Sequence, residues 1–145
     1  MNERIQWATV APEAYRAMAA LEGAVVKSGL ESSLLELVRL RASQINGCAF
    51  CINKHANDAR RAGEKESRLQ TVSVWRETAF FTPREKAALA WVEAMTLLPN
   101  QQASQEQYLA LQEHFSDSEV VNLTLAIATI NAWNRFGVGF AMLPA

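Results

Sequence analysis

Sulfur and imidazole are scarce in this chain: two cysteines and two histidines in 145 residues, with both cysteines and one histidine inside the stretch Glu36 to His55. Charge of one sign is missing as well. The net charge is -1 and the basic residues are scattered, which excludes nucleic acid and an anionic membrane surface as expected partners. Long apolar runs are absent: the most apolar segment, Val120 to Ile130, is interrupted by Asn122, Thr124 and Thr129 and falls short of the ~20 residues of a membrane span. The first residues lack a basic flank followed by an apolar run and a small-residue cleavage site, so no secretory signal is expected and a cytoplasmic location is. In a reducing compartment, two cysteines at C-x-x-C spacing point to a redox or metal pair rather than a structural staple.

What is present suits helices. Half of the residues are apolar and 20% are charged, enough for one compact domain over residues 1–145, or for one subunit of an oligomer. Pro12 fits the first turn of a helix carrying Tyr15, Met18, Ala19 and Val26, with Gly29 as its terminator. A second helix begins near Glu31 to Ser33, with Leu34, Leu37, Val38, Ala42 and Ile45 on one face and Glu36, Leu40 and Ser43 on another, and Asn46-Gly47 breaks it. A third starts at about Cys48 and runs to Arg60-Arg61 before Gly63, and a shorter piece covers Glu66 to Val74. Thr82-Pro83-Arg84-Glu85, Ser104 to Gln107 and Ser116 to Glu119 read as capping boxes opening three more helices. The last of these is apolar nearly all round, which places it in the middle of a bundle or at a subunit contact. With no convincing strand, linker or repeat, the expected fold is an all-α, single-domain bundle of six to seven helices.

Cys48, Cys51 and His55 fall within about 60° of one another on a helix turning ~100° per residue, so they form one stripe. A thiol at a helix N-terminus beside a histidine loses its proton more readily, and the thiolate is the reactive form. Two thiols one turn apart can close a disulfide once one is oxidised to a sulfenic acid, which is the logic of a thiol peroxidase. If the break at Asn46-Gly47 folds the second and third helices into a hairpin, Glu36 lies ~15 Å from the turn along one arm and His55 ~12 Å along the other. Glu36 could then orient the imidazole of His55 and keep its second nitrogen free to act as a base. A zinc site is the chemical rival, with Cys48, Cys51 and His55 joined by Glu36 or His114, although no second cysteine pair supports it. Buried, inert side chains are the bland alternative.

These residues carry a family resemblance. Glu36, eleven residues, then Cys48-x-x-Cys51-x-x-x-His55, preceded by Arg41-x-Ser43-Gln44-Ile45-Asn46-Gly47, resembles the motif of the alkylhydroperoxidase AhpD-like (carboxymuconolactone decarboxylase) family, with its core at residues 31–63. Trp75-Arg76-Glu77, Phe81 to Trp91 and Asn131-x-Trp133-Asn134-Arg135 are similar to its small single-domain members. The resemblance implies an AhpD-like bundle and a thiol-dependent hydroperoxide reductase. In it Cys51 attacks the peroxide, Cys48 resolves the sulfenic acid, and Glu36 and His55 form a proton relay. It also implies no bound cofactor or metal, an external reductant (a thiol protein or a lipoyl-type dithiol), and a homo-oligomer, hexamer or trimer. Where the best-characterised peroxidases carry a second histidine between the cysteines, this chain has Phe50. The alternatives are the family's decarboxylase activity, which acts without this cysteine pair, and a non-enzymatic redox-sensing thiol protein. Among the remaining residues, Trp91 and Trp133 are expected in the core or an interface, Arg41 and Arg135 in structural ion pairs, and His114 at the surface or a helix end.

Overall fold

A computed structural model describes residues 1–145, and its helices begin and end largely where the sequence is punctuated. The order is α1 (Trp7–Val10), α2 (Pro12–Val26), α3 (Ser32–Asn46), α4 (Ala49–Arg61), α5 (Glu66–Thr71), a 3-10 segment (Val72–Glu77), α6 (Pro83–Thr96), α7 (Gln105–Gln112) and α8 (Asp117–Gly139). No strand forms, and no helix is long and apolar enough to cross a membrane. The architecture is the expected all-α, AhpD-like one, with eight helices rather than six or seven. The additional element is α1, a single turn whose only buried residue is Trp7. So short a piece has no periodicity to read; it forms because Trp7 packs among Tyr15, Trp133 and Phe136.

All three capping boxes close as expected: the Thr82, Ser104 and Ser116 hydroxyls each accept from the backbone N–H three residues on, and Glu85, Gln107 and Glu119 accept in return. Gly29, Gly47 and Gly63 all take positive φ, which marks the ends of α2, α3 and α4. Gly47, at φ 66° and ψ 34°, matters most, because its left-handed conformation turns the chain from α3 directly into α4. The piece expected over Glu66 to Val74 is instead α5 followed by the 3-10 segment, with Val74 leaving helical geometry at φ -123°.

Two helices occupy the middle. α8 is 23 residues long and packs against α2, α3, α4, α6 and α7, as its nearly continuous apolar character implies. α3 is more deeply placed than its pattern suggests: Leu37 and Leu40 face a second, smaller core with α4, α5, the 3-10 segment and α6, while Leu34, Val38 and Ala42 join the main core with α6 and α8. Leu40 and Ser43, assigned by spacing to the same face as Glu36, are both buried. Arg41 makes the expected ion pair, at 3.0 Å to Glu93, whose carboxylate also accepts from Trp75 and Arg76. Burial works to raise the pKa of Glu93, but the hydrogen bonds from Arg76, Trp75 and Arg41 outweigh it and hold the carboxyl below its ordinary value. Arg135 does not make an ion pair; its guanidinium donates to the backbone and side-chain oxygens of Asn131 one turn back on α8.

On α2 the apolar stripe behaves differently from its helical spacing. Met18 and Val25 are buried, whereas Tyr15 and Val26 remain largely open and line a cavity between α2, α4 and the N-terminal residues. Apolar side chains at helical spacing here wall an empty space instead of a core.

Candidate active site

The Gly47 turn places α3 and α4 side by side in antiparallel order, and the result for the motif is direct. Glu36 and His55 stand level, with His55 Nδ1 2.9 Å from Glu36 Oε2. Cys48 is the N-cap of α4 and its Sγ accepts from the Cys51 backbone N–H at 3.3 Å. The two sulfurs are joined as a disulfide, with Cα atoms 5.3 Å apart. Their positions differ in one respect that bears on chemistry. Cys51 and His55 line a cavity of about 480 Å³, and Cys48 does not.

Cys48 is closed off by α8. Gly137 lies against the disulfide so closely that a Cβ there would stand 2.5 Å from Cys48 Sγ and 3.2 Å from Cys51 Sγ. The approach of α8 is pinned by amides, of which Asn134 is buried and Asn46 and Asn131 are partly so. Asn134 donates to Ser43 Oγ at 3.0 Å, Asn46 donates to Asn131 and Asn134 at 2.9 and 2.8 Å, and Ser43 Oγ donates back to the Arg39 carbonyl. These bonds satisfy polar groups at the end of α3 that would otherwise be costly to bury.

The carboxylate of Glu36 has a second partner that sequence reasoning missed. Arg39, one turn further along α3 and buried, donates to Glu36 Oε1 at 3.0 Å and with its other terminal nitrogen to Glu22 of α2. Glu22 in turn accepts from Trp133 Nε1 at 3.1 Å. A chain of hydrogen bonds therefore runs from α8 through α2 and α3 to the imidazole on α4. The spacing of Glu36 and Arg39, three apart, was a usable signal for this pair; the contact with Glu22 joins residues 17 apart and had none.

Trp133, expected in the core or an interface, lines the cavity together with Trp7, Tyr15 and Phe50, while Trp91 is buried and donates to Thr124. Glu36, His55 and Asp58 also come together, with ligand-capable atoms within 4.8 Å of one another. The two carboxylates are already paired: Glu36 with Arg39 and His55, and Asp58 with Lys54 at 2.9 Å and Arg61 at 3.4 Å. For Asp58, burial acts to raise the pKa, but the hydrogen bond and field of Lys54 and the fields of His55 and Arg61 outweigh it, so the carboxyl is held below its ordinary value. Of the zinc set considered from sequence, both sulfurs are in the disulfide in this oxidised structure, and His114 sits past the end of α7, outside the cavity wall, with its carbonyl accepting from Arg84.

The chain belongs to the Carboxymuconolactone decarboxylase family, whose match covers residues 12–94 and so includes Glu36, both cysteines and His55. Over 138 residues it is 39% identical to the uncharacterised protein YdfG of Bacillus subtilis (strain 168), covering 95% of this chain and 94% of that one. Among solved structures it is similar to an Agrobacterium tumefaciens protein of unknown function, suggested to be the antioxidant defence protein AhpD. That comparison gives a TM-score of 0.97 and 44% identity over 99% of both chains. The debrominase Bmp8 shares the fold, with a TM-score of 0.83 and 18% identity over 92% of this chain and 72% of that one.

The tight seat of the disulfide under α8 predicts the sign of a substitution. Gly to Ala within a helix ordinarily stabilises by roughly 0.5–1 kcal/mol. Gly137→Ala should instead destabilise the oxidised protein by about 1–3 kcal/mol, because the added methyl must displace sulfur or backbone. Denaturant unfolding of the oxidised protein measures it, and a stabilised variant would contradict the packing described.

Proposed function

We infer that the protein is a thiol-dependent hydroperoxide reductase with an antioxidant role. The observation that carries this reading is that Cys51 opens on the same cavity as the Glu36–His55 pair while Cys48 is covered. In the reduced protein the His55 imidazole, one turn from Cys51 on α4, takes the thiol proton directly or through water, and Glu36 accepts from Nδ1 of the resulting imidazolium. The Cys51 thiolate attacks the terminal oxygen of a hydroperoxide. The O–O bond breaks, the alcohol leaves with a proton supplied by His55, and Cys51 becomes a sulfenic acid. Cys48 then attacks the Cys51 sulfur, water leaves, and the disulfide closes.

Two electrons from an external dithiol restore both thiols, and the reaction needs no bound cofactor. Cys51, buried but lining the cavity as Cys48 does not, is favoured as the sulfur that the reductant attacks. Cys48 is then the leaving thiolate, stabilised by the Cys51 N–H and the amino-terminal end of α4. Peroxidase-related names among similar folds, such as an uncharacterised protein from Ralstonia eutropha with a TM-score of 0.84 and 23% identity, agree with this reading.

The reading includes a homo-oligomer, trimer or hexamer, supported by apolar residues left open along α8, among them Val121 and Val138. Sedimentation at micromolar concentration should give an assembly, and a stable monomer would remove this part. The chemistry predicts that Cys51→Ser abolishes hydroperoxide consumption with a dithiol reductant. Cys48→Ser should permit one oxidation that stalls as a sulfenic acid or mixed disulfide, detected by mass spectrometry. Sustained turnover in both variants would overturn the mechanism.

A further inference from the structure

The wall of the cavity carries an uneven charge. Four carboxylates line it, Glu3, Glu22, Glu36 and Asp58, against two cations, Arg39 and Lys54. The excess is two negative charges, or one when His55 carries a proton. Arg39 is not free to receive an anion, and Lys54, half exposed at the rim, already holds a carboxylate. Both terminal nitrogens of Arg39 are engaged, one by Glu36 and one by Glu22, and the Arg39 side chain is only 8% exposed. Lys54 is paired with Asp58 at 2.9 Å. Glu3, at the rim, accepts from the neutral donors Gln6 and the Leu143 backbone and has no cationic partner among its hydrogen bonds. The amino-terminal end of α4 favours anions, but there the Cys51 N–H is turned onto Cys48 Sγ and away from an incoming molecule.

Most of the remaining wall is apolar. Ile5, Trp7, Val26, Phe50, Trp133 and Met142 line it, so a molecule reaching Cys51 meets both hydrocarbon and a net negative charge. A carboxylate on that molecule would lose hydration beside a net negative wall whose one deep cation, Arg39, is already shared by two carboxylates, a costly case for burying a charge.

We propose that this cavity selects by charge: it admits uncharged molecules with an apolar body to Cys51 and rejects those carrying a carboxylate. Resting on the peroxidase reading, the substrate class is therefore uncharged organic hydroperoxides, with hydroperoxides of fatty acids disfavoured. The same selection applies to the reductant, which enters through the same opening as an uncharged thiol and gives its proton to His55 before its thiolate attacks Cys51.

The test needs no turnover. The reduced protein is treated with iodoacetamide or iodoacetate, each of which alkylates a thiolate with loss of iodide, and adducts at Cys51 are mapped by mass spectrometry. The ratio of the iodoacetate rate to the iodoacetamide rate is compared with that of free β-mercaptoethanol. At low ionic strength the protein's ratio should lie below the reference by about tenfold, the lower end of what focused fields achieve. It should return toward the reference near ~1 M salt, where the Debye length is about 3 Å. Asp58→Asn should raise the ratio and Lys54→Met should lower it, and the ratio itself cancels any common change in thiol reactivity. A wild-type ratio at or above the reference, or one indifferent to salt and to both substitutions, overturns the proposal. A protein without peroxidase activity would still discriminate, and an active peroxidase that fails to do so would overturn charge selection alone.

Discussion

The hydrogen bond between His55 and Glu36 depends on one backbone constraint, the left-handed residue at Gly47. Without positive φ there, α3 could not end at Asn46 and hand the chain to α4 within two residues, and the two helices would not lie alongside each other. The same turn makes Cys48 the N-cap of α4, which brings the helix N-terminus to the sulfur pair. Carboxylate, imidazole and sulfur are thus assembled by local chain geometry. What holds the assembly is not local: Arg39 ties Glu36 to Glu22 of α2, and the Asn46, Asn131 and Asn134 amides tie the end of α3 to α8.

That division between local and distant explains which parts were legible in the sequence. The Glu36–His55 contact followed from counting residues on either side of a break, since both arms are regular helices of known rise. The three capping boxes and the glycine stops were legible for the same reason, each being a signal within four residues. The cavity was not. Its walls come from residues 3 to 8, from α2, α3, α4 and α8 and from Met142, and no periodicity records that Tyr15, Val26 and Trp133 border a cavity. Gly137 likewise reads as an ordinary helical glycine until α8 is seen against the disulfide. Arg39 was not singled out by spacing, and it is buried as the partner of two carboxylates.

Burying Arg39 gives Glu36 two duties. One oxygen holds the guanidinium and the other faces the imidazole, so the carboxylate is fixed in orientation before any chemistry begins. A residue in this position is costly to replace, because removing its charge leaves Arg39 with Glu22 alone in a region of low exposure. The asymmetry of the two sulfurs complements this arrangement. Cys48 is packed under α8 and Cys51 lines the cavity, so the two sulfurs stand in different surroundings.

The central claim is that Glu36 acts through His55 on the thiol of Cys51. It is tested most directly by the pH dependence of iodoacetamide alkylation at Cys51 in the reduced wild type and in Glu36→Gln. A fall in melting temperature is expected in the variant, since Arg39 loses a partner, but stability does not set where the alkylation profile lies on the pH axis. The account predicts that the Glu36→Gln profile moves to higher pH, because the neutral amide no longer stabilises the imidazolium that forms as the thiolate does. An alkylation profile identical to the wild type would contradict it.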